Sequence, residues 1–276
     1  MLEIPESTTV ARQLNETVRG REIRRAVAGV SPHKFAFYHG DPSNYDALLK
    51  GHAVGDSFGI GAMVEINAGD RCIVLGDGAN LRYYERSGEA PQKHQLLLEF
   101  DDGGALVCTV QMYGSVLAFM DGECDNKYYR LAKERPQPIT EAFDRPYFDT
   151  LRRGETEKLS AKAFLAAEQR IPGLGNGVLQ DILFRAGVHP RRKMGTLTEK
   201  EFDGLFHAVK DTLAEMTRLG GRDTEKDLFG SAGGYKTIMS KNTAEKPCPV
   251  CGAIIQKAAY MGGTVYYCPK CQPLCE

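Results

Sequence analysis

Four cysteines near the C-terminus are the residues whose spacing most directly implies chemistry. Cys248-Pro-Val-Cys251 and Cys268-Pro-Lys-Cys271 form two C-x2-C pairs with 16 residues between them. Each pair lets one tight turn aim two thiolates at the same ion, and four thiolates make a closed tetrahedral zinc site. Pro249 and Pro269 stiffen the turns, while Gly252 gives a permissive backbone just past the second ligand. Disulfide or redox use is the competing explanation, which a chain expected in the reducing cytoplasm disfavours. Cys275 lies outside the spacing and is expected to bind no metal. Cys72, Cys108 and Cys124 are scattered through strand-like or turn-like sequence and are read as reduced structural thiols.

A second candidate is the string Ile-Pro-Gly-Leu-Gly-Asn-Gly at 171–177. Pro172 is expected to end one helix, Gly173 and Gly175 permit a tight double turn, and Asn176 falls where the next helix begins. Unpaired N–H groups at such a helix start suit a phosphate. Lys162, Arg170 and Arg185 lie nearby, with Arg191, Arg192 and Lys193 just beyond. A plain cap between two packed helices is the competing reading of this turn. Glu3, two residues before Pro5, is either an acid–base group or a carboxylate stabilised by the dipole of the helix starting there.

The elements that must position these residues follow from periodicity. Val10, Leu14 and Val18 recur at helical spacing, with Gly20 as a stop. From about 21 to 120 the pattern becomes short strands such as RCIVLG, HQLLLEF and ALVCTVQMYG, with a hairpin turn at 101–104. Residues 134–146 are punctuated by proline and read as a linker. Three helical patterns follow, then a Gly-rich stretch over 230–246 that is read as loop, then two strands joined near Gly262-Gly263. The fold class is therefore α+β and multidomain. It comprises an N-terminal β-sandwich with a leading helix (1–134), a helical domain (135–230), and a loop with a C-terminal zinc-ribbon hairpin (231–276).

The bulk composition excludes some functions and redirects others. The net charge of −1 argues against a generic nucleic-acid coat. Residues 151–276, however, hold 19 Lys+Arg against 14 Asp+Glu, or +5, so polyanion contact is expected there. No apolar run approaches the ~20 residues of a membrane span, and the N-terminus is unlike a signal peptide. A cytoplasmic monomer without membrane contact is expected.

Residues 164–192, FLAAEQRIPGLGNGVLQDILFRAGVHPRR, resemble the helix–two-turn–helix signature of the formamidopyrimidine-DNA glycosylase and endonuclease VIII family. The start MLEIPE, the string Gln111-Met112-Tyr113-Gly114 and the CPxCG…YYCPxCQ ending are similar to family motifs in the same order. The resemblance implies recognition of damaged or abasic duplex DNA in base excision repair. Asn176 and Lys162 would meet phosphates, with Gly175 and Arg185 in the same interface. Gln111, Met112 and Tyr113 would fill the hole left by an everted base. As plain sequence, 111–113 is an ordinary strand end and turn.

The family attacks the sugar with an N-terminal proline amine, and here position 2 is Leu. With so large a second residue Met1 should be retained, so lyase chemistry through that amine is expected to be absent. Glu3 stands at the family's acidic position and is the catalytic candidate, activating a water or assisting departure of the base. Aligning HQLLLEF with a family strand puts His94 where a catalytic lysine belongs, with a surface histidine as the alternative. Gly263 falls where a finger arginine would grip phosphate. A non-catalytic DNA binder and an RNA-binding module remain the rival functions.

Overall fold

The computed structural model describes residues 2–274, so Met1 and Cys275 lie outside the described residues. Helix α1 (Ile4–Thr17) begins with Pro5 in its first turn, where a missing N–H costs nothing. Val10 and Leu14 lie on its buried face, and Val18 packs with them just beyond its end.

Against α1 stands a seven-stranded sheet. Its strands are β1 (Ile23–Ala28), β2 (Ala36–Tyr38), β3 (Val54–Ile60), β4 (Met63–Ala68), β5 (Arg71–Tyr84), β6 (Leu96–Phe100) and β7 (Ala105–Met120). The order is β1-β6-β7-β5-β4-β3, with β2 running parallel along β7. The 14 residues of β5 and 16 of β7 pair along most of their length. β4 continues from one end of that pair and β6 from the other. The expected sandwich is thus one hydrogen-bonded sheet with a long shared pair. Ile23, Leu49, Ile66, Ile73, Leu98, Phe100 and Val116 belong to its buried core. Short helix α2 (Tyr45–Leu49) contributes Tyr45 and Leu49 to that core. Cys72, Cys108 and Cys124 are free and buried, as read from the sequence.

The long pair is broken once. Asp77 pairs with Gly114 and Ala79 with Val110, so residues 111–113 bulge out of β7. Gly78 is required beneath this bulge, because a Cβ there would overlap the Tyr113 carbonyl.

Helix α3 (Lys127–Glu134) closes the sheet domain. The helical domain comprises α4 (Arg145–Leu151), α5 (Ala161–Ala166), α6 (Val178–Arg185) and α7 (Glu199–Arg218). Phe143, Phe148, Phe164, Phe202 and Phe206 pack ring against ring at its centre. α5 ends earlier than the sequence suggested. Ser160 caps its start, and Glu168 and Gln169, both left-handed at φ 58° and 50°, follow close on its end before Pro172 is reached. The Arg170 guanidinium then donates to the Ala163 and Phe164 carbonyls that the short helix leaves open.

The finger is a hairpin of β8 (Gln256–Tyr260) and β9 (Gly263–Tyr267). Its turn is Met261-Gly262, both with positive φ, one residue earlier than read from the sequence. No helix or strand forms over 219–255, yet this segment ties the parts together. Leu228 enters the sheet core, Tyr235 the helical core, and Met239 the cluster around Cys248 and Cys268.

Sheet and helical domains approach closely where Gly173, at φ 81°, lies against Gly61; a Cβ on Gly173 would overlap the Gly61 backbone. Gly173→Ala should therefore destabilise the protein by about 1–3 kcal/mol in urea unfolding. Gly88→Ala, where a Cβ meets nothing within 4 Å, should stay within ~0.5 kcal/mol of the parent. Equal effects would show that this contact does not join the domains.

Candidate nucleic-acid interface

Three parts converge at the start of α6. Both oxygens of the Glu3 carboxylate accept there: Gly177 N–H donates at 2.8 Å and Val178 N–H at 2.7 Å. Glu3 also begins α1, but its side chain makes no cap bond to that helix. The dipole stabilising Glu3 is thus that of α6, a helix 174 residues away in sequence. Gly175 and Gly177 leave room for this. A Cβ on Gly175 would come within 2.6 Å of Glu3 Oε1, and one on Gly177 would overlap the Arg222 guanidinium.

Arg222 completes the corner. It is 2% exposed, donates to Glu6 at 3.0 and 2.9 Å, and lies 3.5 Å from Glu3. Burial pushes the Glu3 pKa up, while Arg222 and the two amides oppose that shift. Arg222 is absent from the residues picked out by sequence; it follows Gly220-Gly221 in unpatterned chain, and only the fold reveals its partners.

The backbone N–H of Leu2 donates to the Asp77 carbonyl at 3.1 Å, and its side chain is buried in the sheet core. The residue at position 2 is therefore used for packing. His94 is not brought to this corner. Its ring is buried beside the Pro91 carbonyl at 2.9 Å, which corrects both the catalytic-lysine alignment and the surface alternative. The strand passing α1 is β3, not β6: Gly59 lies so close to Ser7 and Thr8 that a Cβ would not fit.

On the other side of the α6 start sits the finger. Asn176 Nδ2 donates to the Thr264 carbonyl at 3.2 Å, and Lys162 Nζ to the Tyr260 carbonyl at 2.7 Å. A Cβ on Gly263 would lie 3.4 Å from Lys162 Nζ and 3.6 Å from Asn176, so clamp and finger tip form one continuous edge. Lys162 is only 5% exposed, and burial lowers its pKa. Exposed Arg191 reaches the Ala259 carbonyl and lies over the Tyr260 ring, adding a cation that sequence marked only as nearby. Arg185 is turned away, paired with Glu215 at 2.6 Å and stacked over Tyr235. Gln111, Met112 and Tyr113 are exposed on the β7 bulge.

The Sγ atoms of Cys248, Cys251, Cys268 and Cys271 lie within 4.8 Å of one another and could hold a metal ion. A four-thiolate zinc site spaces its sulfurs by about 3.8 Å. The Cys248–Cys271 pair at 3.9 Å matches that spacing, and the Cys251–Cys268 pair at 3.3 Å is tighter.

A folded sheet, a two-turn helical clamp and a four-cysteine finger meeting at one corner define a clamp-and-finger class of protein. Comparison with known proteins makes this specific. The domain family described as formamidopyrimidine-DNA glycosylase H2TH domain matches residues 135–227. A formamidopyrimidine-DNA glycosylase of Symbiobacterium thermophilum is 31% identical, covering 100% of this chain and 90% of its own length. One from Shouchella clausii is 28% identical, with 99% of each chain covered. Among solved structures, MutM (Fpg) of Thermus thermophilus superimposes with a TM-score of 0.81 at 26% identity, covering 98% of both chains. Lactococcus lactis Fpg in complex with abasic-site DNA gives 0.82 at 24%, covering 98% of this chain and 99% of that one. The chain belongs to the formamidopyrimidine-DNA glycosylase family.

Among the described residues no helix is long and apolar enough to cross a membrane. Removing the guanidinium from the buried Glu3–Glu6–Arg222 group leaves two buried carboxylates with backbone N–H partners but without that counter-charge. Arg222→Met should therefore cost about 3–5 kcal/mol in denaturant unfolding. A loss below ~1 kcal/mol would mean that the carboxylates are satisfied without it.

Proposed function

We propose that this protein recognises damaged or abasic duplex DNA in base excision repair and releases bases by hydrolysis, with Glu3 as its acid–base group. The observation that carries this reading is the continuous edge made by Asn176, Lys162 and the finger tip. Such an edge suits one phosphodiester backbone, with Arg191 beside it and Gly175 giving the turn its close approach. The exposed side chains of the 111–113 bulge would fill the gap left by an everted nucleotide, offsetting the few kcal/mol that eversion costs. We assign zinc to the four cysteines and the role of holding the finger against the clamp. The domains are taken as 1–134, 135–230 and 231–276, and the protein as a monomer.

Position 2 supports hydrolysis rather than imine chemistry. Leucine replaces the family's proline, and its N–H is held by Asp77. Glu3 is then the acidic group left to activate water. A non-catalytic DNA binder is the second reading, favoured by one observation: both Glu3 oxygens already accept backbone N–H groups.

Duplexes bearing a panel of base lesions or an abasic site, incubated with and without borohydride, test the proposal. Base release without a trapped protein–DNA adduct is expected, and a trapped adduct overturns the assignment at position 2. Glu3→Gln should lower base release by about 10²–10⁴-fold, and abasic-site binding measured beside it separates lost chemistry from loss of one of the two N–H contacts. If neither protein releases any base but both bind, the non-catalytic reading holds. Acting as a base, Glu3 must be ionised. Release should therefore fall as pH drops through a pKa that burial sets above the ordinary 4.5.

Binding should weaken steeply with salt, and Lys162→Ala should reduce the log–log salt slope by about one. Asn176→Ala should weaken binding as well. Stripping metal with a chelator should abolish binding, and zinc should restore it. Undiminished binding by the stripped protein would remove the finger from the interface.

A further inference from the structure

Accessibility divides the methionines of this chain into two groups. Met63, Met194, Met216 and Met239 are buried in the cores, and Met120 is half-buried. Among the described methionines only Met112 and Met261 face solvent, at 63% and 51% exposure. A thioether is oxidised where an oxidant reaches its sulfur, so reactivity concentrates at these two.

Both lie on the surface proposed above to meet DNA. Met112 is the middle residue of the 111–113 bulge, outside the β5–β7 register. Met261 forms the turn of the finger hairpin at φ 50°, a conformation that bulky side chains rarely adopt. Its Sδ accepts from the Ser160 Oγ at 3.8 Å, and Ser160 is the residue that caps α5, two places before Lys162. Lys162 in turn donates to the Tyr260 carbonyl, beside Met261. One sulfur thus tops the bulge, and the other lies in the seam between clamp and finger. Oxidation would act on both places in the same direction, because methionine sulfoxide replaces a flexible apolar group with a polar one. At Met112 the sulfoxide oxygen would lose its water wherever the bulge enters a base stack, a cost the thioether does not carry. At Met261 an oxygen added to Sδ must fit where Ser160 now approaches, which pushes the finger tip away from the start of α5.

We propose that Met112 and Met261 are a pair of reversible oxidation sites through which hydrogen peroxide loosens this protein's hold on DNA. At each sulfur the lone pair takes one peroxide oxygen: the S–O bond forms, the O–O bond breaks and the second oxygen leaves as water. Sulfur is oxidised by two electrons and the peroxide is reduced. A dithiol sulfoxide reductase reverses the step, releasing the oxygen as water and leaving a disulfide on the reductase. The inference rests on the DNA-recognition reading above and adds its regulation.

The test treats the zinc-loaded full chain with hydrogen peroxide. Peptide mass spectrometry reads the sulfoxide at each methionine, while zinc release and binding to an abasic-site duplex are followed in parallel. Met112 and Met261 should be oxidised before Met194, Met216 and Met239, and binding should weaken about tenfold as they are, the size of one polar group desolvated. Reductases for both sulfoxide epimers should restore the affinity. The variant carrying Met112→Leu and Met261→Leu, whatever its starting affinity, should keep that affinity through the same treatment. Peroxide also attacks zinc thiolates, which the reductases do not repair. A loss of binding that tracks zinc release, persists after the reductases or is equal in the variant overturns the proposal. So does oxidation of the buried methionines at the same rate.

A parent protein that binds no duplex before treatment sinks the DNA reading, and the loosening with it. The sulfoxide map then decides the two sites alone: selective oxidation at Met112 and Met261 upholds them, and even oxidation across the chain removes them.

Discussion

The Glu3 carboxylate lying across the first amides of α6 is the contact on which the arrangement depends. A helix start leaves N–H groups unpaired, and a carboxylate is the side chain best able to satisfy two at once. Here the carboxylate comes from the other end of the chain. Because Leu2 is locked into the sheet core and Ile4 into the helical core, the two residues flanking Glu3 are anchored in different domains. The position of Glu3 therefore reports, and enforces, how sheet and clamp meet.

A carboxylate buried at 5% exposure carries a desolvation cost that two amides do not remove, and Arg222 offsets part of the rest. This explains why an irregular segment runs back across the molecule. From Gly221 to Met239 the chain gives Arg222 to the Glu3–Glu6 pair and Leu228 to the sheet core. Its Ile238 and Met239 N–H groups bond to the Asp181 carboxylate on α6. A segment without helix or strand is held in place by buried acid groups at both ends of its path. Backbone bonds within the segment, such as Asp223 N–H to the Tyr235 carbonyl and Tyr235 N–H to the Gly221 carbonyl, complete its order.

Legibility of the sequence followed the range of the interactions involved. The finger cysteines, the first helix and the β6–β7 turn depend on neighbours within a few residues, and local spacing revealed them. The double turn was also visible, because Gly173 and Gly175 mark close approaches. What they approach, the Gly61 backbone and the Glu3 carboxylate, was not visible. Arg222 and the bulge at 111–113 were lost or ambiguous for the same reason. A buried ion pair spanning 216 residues leaves no periodic trace, and a bulge depends on the register of a partner strand. His94 failed differently: a run of leucines matches several strands equally well, so register could not be fixed from one chain.

Clamp geometry and imine chemistry make different demands on the first residues of the chain. Clamp geometry here depends on Glu3 as a hydrogen-bond acceptor, a role a carboxylate fulfils whether or not it ever handles a proton. Imine chemistry depends instead on an accessible amine at position 2, and that position carries a leucine side chain buried at 6% exposure. Burying leucine strengthens the junction between α1 and the sheet, whereas an exposed reactive amine would leave that space unfilled. Selection acting on stability and on DNA grip would keep the acid, while selection for strand cleavage would keep the proline.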